Sequence, residues 1–188
     1  MKKILSLLSL TVLLQVTNLY AQPAPEKNPE GYTTGQIQLP DNSTLSGSIK
    51  DNIRKKGEVT ILQERKKTKY KAGDITNVQI GSSNFITYNY TFYEIIWQGQ
   101  NITLLRKASE ASGVQYNGVE PVVISSSEGD IDDYFVKKTA DASYYLLTAK
   151  TAKEVLGKLC SSCNTTLDAA KFDIDAIKKA IEACDKCK

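Results

Sequence analysis

Between Tyr32 and Thr148 apolar and polar residues alternate in short runs, and turn-forming residues separate the runs. "GQIQL" places Ile37 and Leu39 on one face, "PDN" supplies a tight turn, and "TLSGSIK" places Leu45, Gly47 and Ile49 on one face. Together they predict a hairpin. "EVTIL" predicts a third strand, with "TKYKA" pairing back to it, and "DITNVQI" a fifth. "FITYNYTFYEIIW" reads as the longest strand, with Tyr88, Tyr90 and Phe92 at period two, and "QGQN" turns it into "ITLLRKA". "GVQY", "EPVVIS", "DYFVKK" and "SYYLLT" complete ten to eleven strand candidates. β-Branched and aromatic residues concentrate in these runs, as pleated half-buried surfaces favour. The expected fold is mainly β, an antiparallel sandwich, roll or barrel-like sheet.

The period changes at Thr148. "AKTAKEVLGKL" sets Ala152, Leu156 and Leu159 at i, i+4 and i+7, with lysines between. "DIDAIKKAIEAC" sets Ile174, Ile177, Ile181 and Cys184 at i, i+3, i+7 and i+10, with Asp173 placed to cap it. The C-terminal end is thus expected to be an α-helical hairpin appendage, its apolar stripe packed on the β domain.

The first residues follow another pattern. Lys2 and Lys3 precede an apolar run from Ile4 to Val16, and a small residue, Ala21, precedes Gln22. This is the layout of a secretory signal peptide cut between Ala21 and Gln22. The run is too short for a bilayer span, which takes about 20 apolar residues. The expected organisation is a signal peptide over 1–21, a Pro-rich spacer over 22–31, a β-rich domain over 32–148 and a cysteine-containing helical tail over 149–188. The product is expected to be exported, periplasmic or secreted, with no transmembrane segment in the mature chain.

Charge and composition narrow the chemistry. The formal net charge is +3, and cleavage would remove two lysines and no acid. Such balance gives no reason to expect nucleic acid or an anionic membrane as partner. The chain contains no histidine, which removes Ser-His-Asp and Cys-His catalysis, mixed Cys/His zinc sites and c-type haem attachment. No phosphate loop or nucleophile motif is found, so no cofactor and no catalytic residue are assigned, and a non-enzymatic binding or structural module is expected. Arg54, Lys55, Lys56, Arg65, Lys66, Lys67, Lys69 and Lys71 read as solvated strand ends more readily than as an anion site. Glu128, Asp130, Asp132 and Asp133 read as an acidic turn, short of an ordered calcium loop. Tyr88, Tyr90 and Phe92 form a candidate ligand surface for a protein or glycan partner, set against ordinary packing. The four N-x-S/T sites, at Asn42, Asn89, Asn101 and Asn164, carry no weight beside a bacterial-looking leader.

All four cysteines, Cys160, Cys163, Cys184 and Cys187, lie in the tail as two CxxC pairs. The spacing fits a four-cysteine zinc site, and a CxxC redox enzyme is the rival from the catalytic class. Export favours disulfides. The pairs Cys160–Cys187 and Cys163–Cys184 are both centred beside Asp173, so a helical hairpin reversing there would carry them as nested bridges.

"YTTGQIQLPDNSTLSGSIK", "KKTKYKAGDITNVQIG" and "FYEIIWQGQNITLLRK" resemble, in layout, a family of uncharacterised exported proteins of Bacteroidetes-type bacteria. The resemblance spans most of Tyr32 to Lys188. It implies envelope localisation and no catalytic residues.

Overall fold

The computed structural model describes residues 28–111, 113–116, 121–124, 128–140, 143–161, 167 and 172–186. The expected signal peptide, its cut site at Ala21 and Gln22, most of the spacer, and Asn164, Cys163 and Cys187 lie outside them.

The chain is mainly antiparallel β. Strands β1 (Thr33–Gln38), β2 (Thr44–Asn52), β3 (Glu58–Gln63) and β4 (Lys66–Lys71) form a meander, with a single helical turn, α1 (Ile53–Lys56), between β2 and β3. The chain then returns to the other side of β1 as β5 (Asn77–Ile80) and continues through β6 (Ser83–Tyr88), β7 (Thr91–Gln98) and β8 (Ile102–Lys107). A separate hairpin, β9 (Gly113–Tyr116) with β10 (Pro121–Ile124), precedes β11 (Tyr134–Lys138) and β12 (Tyr144–Leu147), which extend the main sheet from β8. The result is one open sheet of ten strands, ordered β12-β11-β8-β7-β6-β5-β1-β2-β3-β4. It bears out the expected mainly antiparallel β fold, and the sheet is not closed into a barrel.

The expected hairpins and turns are present, with one correction. "FITYNYTFYEIIW" is two strands. Asn89 and Tyr90 both take positive φ, 48° and 62°, and Tyr88 pairs with Thr91. Two left-handed residues between paired strands make the hairpin turn whose twist matches that of the sheet. Tyrosine is a poor residue for that backbone, so the turn left no glycine signal in the sequence.

Cross-strand register sorts the side chains onto two faces. Ile37, Ile49, Val59, Ile61, Val78, Phe85 and Phe92 share the first face and form one core cluster. Gly35 and Gly47 sit opposite each other at its centre. A Cβ on Gly35 would lie 2.8 Å from Ile49 Cδ1 and 2.1 Å from the Gln79 carbonyl oxygen, so this close packing admits only glycine there.

Farther along the same face, Ile102, Leu104, Val136 and Leu147 are covered by α2 (Ala152–Leu159) and α3 (Ile174–Asp185). The helical stripe docks as expected: Leu156, Ile177 and Ile181 are fully buried. Asp173 caps α3 by accepting from Ala176 N at 2.9 Å. Each such buried side chain contributes about 1.5–3 kcal/mol relative to exposure.

The disulfide pairing is corrected. Cys160 is bonded to Cys184, with Cα atoms 5.4 Å apart, so neither nested bridge forms. The expected hairpin took Cys160 as the start of a helical arm rising from Asp173. Instead α2 ends at Leu159 and Cys160 is its cap, buried in the core. Cys184 lies three residues past Ile181 and shares its inward face. The cysteines that point into one core meet.

A carboxylate fixes the end of α3. Asp185 accepts hydrogen bonds from the backbone N–H groups of Gln100, Asn101 and Ile102 at 2.9, 2.7 and 2.8 Å, tying the helix to the β7–β8 turn. No helix among the described residues is long and apolar enough to cross a membrane.

Candidate functional site

The second face of the sheet is polar over β1, β5 and β6. Gln36 and Gln38 alternate on β1, and Asn77 and Gln79 alternate on β5. Register then sets Gln38 beside Asn77, Gln36 beside Gln79, and Gln79 beside Asn84 of β6. Thr44 of β2 and Gln98 of β7 extend the set, and Ile86 and Ile95 supply an apolar floor. These residues line a depression of about 450 Å³, bordered also by Val78 and Phe85, whose side chains turn to the first face. That volume lies within the range of small-ligand sites.

The depression has a distinct chemistry. Six of its lining side chains are carboxamides, and none is charged. Asn77 Nδ2 donates to Gln38 Oε1 at 2.5 Å, and Gln79 Nε2 donates to the Gly81 carbonyl at 3.3 Å. Gln36, Asn84 and Gln98 have no side-chain hydrogen-bond partner among the described residues and are solvent-exposed. Each free carboxamide offers two N–H donors and an acceptor oxygen.

Beyond Ile86 on the same face lies an aromatic cluster. Tyr88 of β6 stacks on Tyr144 of β12, with centroids 3.9 Å apart. Beneath them Tyr93 meets Phe135 edge-on at 5.1 Å, and with Leu105 they form a second buried core. Burial pushes the phenols of Tyr93 and Tyr144 up to about 12; the neighbouring Tyr144, Glu128, Tyr88 and Glu110 add to the shift at Tyr93, and Tyr88 to that at Tyr144.

The candidate aromatic surface is divided by the fold. Tyr88 is 42% exposed on the second face, whereas Phe92 is fully buried on the first. Tyr90 sits in the turn between them, close to Gly73. Of the three, Tyr88 alone is part of the open aromatic surface.

The charged stretches behave as solvated ends with local pairing. Arg54 makes a bidentate contact with Asp132, at 2.8 and 2.6 Å, joining α1 to the acidic turn. The pairing lowers the Asp132 carboxyl below its usual range. Asp133 accepts from Asp130 N within the turn, and Lys69 reaches Glu58 at 3.3 Å across β3 and β4. Lys66, Lys67, Lys69 and Lys71 lie along β4, an edge of the sheet, where charge discourages edge-to-edge pairing.

Two features were not read from the sequence. The amide groove comes from polar residues at period two, the same signal as any solvated strand face. Lys107 is completely buried, with Nζ donating to Glu110 Oε2 at 2.9 Å and to the Gly129 carbonyl at 2.5 Å. Its sequence signal was its place after Thr103 and Leu105 on an inward-facing alternation. Among the described residues no three Cys, Asp or Glu side chains converge as a metal site. The Cys160–Cys184 bond withdraws two of the four proposed zinc ligands.

No protein family, no curated protein and no solved structure matches this chain.

Proposed function

We propose that this protein is an exported, non-enzymatic binding module of a bacterial envelope or secreted fraction, and that the amide-lined groove is its ligand surface. The observation that carries this reading is the groove itself: six uncharged carboxamides around about 450 Å³, three of them without a side-chain hydrogen-bond partner among the described residues. Polar side chains converging in a depression with unspent hydrogen-bonding capacity suit recognition. They do not suit bond breaking, which calls for a nucleophile, a tuned acid or base, or a metal.

Export is supported by the charged, apolar and small-residue order of residues 1–21 and by a disulfide of the kind found in oxidising compartments. A thiol–disulfide enzyme is disfavoured by the placement of the bond. Cys160 and Cys184 are about 3% and 4% exposed and join two helices, whereas a redox pair needs an accessible sulfur.

The test has two parts. Expression with the native leader, followed by fractionation and intact mass, should give an extracytoplasmic product beginning near Gln22. Titration of ¹⁵N-labelled protein with neutral sugars, amino acids and short peptides should shift amide signals of β1, β5 and β6. Retention of Met1 to Tyr20 in exported material would refute the leader, and silence of those strands with every probe would refute the site.

A further inference from the structure

Resting on the reading of the groove as a ligand site, we infer that its ligand is a neutral oligosaccharide, bound lengthwise across β1, β5 and β6 with a sugar ring reaching Tyr88. Three features of the site select this class.

The first is charge. No Asp, Glu, Lys or Arg lines the groove, so an anionic or cationic ligand would lose hydration there without gaining an ion pair. The basic strand β4 lies at the sheet edge, separated from β1 by β2 and β3.

The second is the pairing of donors with acceptors. A carboxamide both donates and accepts, and so does a sugar hydroxyl. The rows Gln38–Asn77 and Gln36–Gln79–Asn84 run across the strands, so they repeat at the strand spacing of about 4.8 Å. Such a ladder can serve successive hydroxyls along a chain of rings. An extended peptide is served less well, because it would normally be captured by adding a strand at a sheet edge. This groove lies on a face, and the edges are β4 and β12.

The third is the aromatic end. Ile86 lines the groove, and Tyr88 follows two residues later on the same face, about 7 Å along the strand. Its ring is backed by Tyr144 at 3.9 Å and remains 42% exposed. A backed, partly open ring is a rigid surface for the C–H face of a sugar, and its electron-rich π face attracts those hydrogens.

The experiment uses the full mature protein and named probes: cellopentaose, maltopentaose and chitopentaose as neutral oligosaccharides, tetragalacturonate as an anionic one, and an uncharged Ser/Ala pentapeptide. Affinities come from calorimetry, and the site from ¹⁵N shift mapping. At least one neutral oligosaccharide should shift the groove strands, with Gln36→Ala and Asn84→Ala each weakening it about fivefold, the worth of one net hydrogen bond. Tyr88→Ala should weaken it about tenfold, and Tyr88→Phe, which keeps the ring and its packing, should bind as wild type. Thermal melts of each variant confirm that the fold is retained.

Groove shifts with the pentapeptide alone, or tighter binding of tetragalacturonate than of every neutral probe, would overturn the sugar class while leaving the groove as a binding site. Sugar shifts confined to another surface, or no groove shifts with any probe, would overturn both.

Discussion

The rings of Tyr88 and Tyr144 stack 3.9 Å apart, at 13° between planes, although β7, β8 and β11 lie between their strands. In a flat sheet those strands would stand about 19 Å apart, four spacings of about 4.8 Å. The sheet must therefore curl toward its second face here, enclosing Tyr93, Leu105 and Phe135 under the tyrosine pair. Removing either ring should loosen this enclosure. In a double-mutant cycle of Tyr88→Ala and Tyr144→Ala read by urea denaturation, the coupling should be about 0.5–1.5 kcal/mol. A coupling of zero would mean that the stack is incidental.

Alkaline titration reads the same enclosure. Tyr93 and Tyr144 have phenols raised to about 12, against an ordinary value of 10. A raised folded-state value favours the folded protein fully below about pH 10, and that advantage is lost as pH rises toward 12. Absorbance should show two late-ionising tyrosines, and stability should fall across this window. Removing one late phenol by Tyr93→Phe should make that fall shallower; an unchanged profile would count against its burial.

Ile177 tests the docking of the helical tail. Its side chain is fully buried between α3 and the sheet. Ile177→Ala should cost about 2–5 kcal/mol by loss of transfer energy and creation of a cavity. Ile177→Asp should cost more, since it adds an unpaired buried charge. Wild-type denaturation midpoints for both variants would show that the helix does not pack.

The Cys160–Cys184 bridge spans 24 residues of sequence. Closing such a loop restricts the unfolded chain by roughly 3 kcal/mol. Non-reducing peptide mapping should recover a linked Cys160 and Cys184, and reduction should lower stability by about that amount. Linked peptides joining Cys160 to Cys187 would restore the nested arrangement and refute this one.

Asp185 should make the tail sensitive to acid. Burial is the largest single influence on its carboxyl and raises its pKa, but the amides of Asn101, Gln100 and Ile102 together outweigh it and leave the value lowered. A lowered folded-state value adds stability above the unfolded value near 4, and that stability is lost as pH falls through the folded value. Asp185→Asn should therefore cost on the order of 1 kcal/mol at pH 7, discounted for partial exposure, and progressively less below pH 4. A pH-independent difference would contradict the latch. Gly99→Ala is a second probe, because a Cβ there would lie 2.4 Å from Asp185 Oδ2 and 2.3 Å from Trp97.

Local pattern by itself determined most of the elements. Alternation set the strands and which residues share a face, and the 3.6-residue stripe set α2 and α3, down to the Asp173 cap. These are properties of neighbours in the chain, governed by periodicity and capping. Only the tertiary structure decided which strands lie side by side, that the sheet stays open, and that Tyr88 and Phe92 face opposite ways across the Asn89–Tyr90 turn. It also decided that Cys160 meets Cys184, and that the amides of β1, β5 and β6 line one groove. Periodicity says which face a residue takes but not which strand or helix lies across from it. That is settled by long-range packing, where burying Ile177 and Ile181 brings Cys184 to Cys160 and where the return of β5 beside β1 brings Asn77 to Gln38.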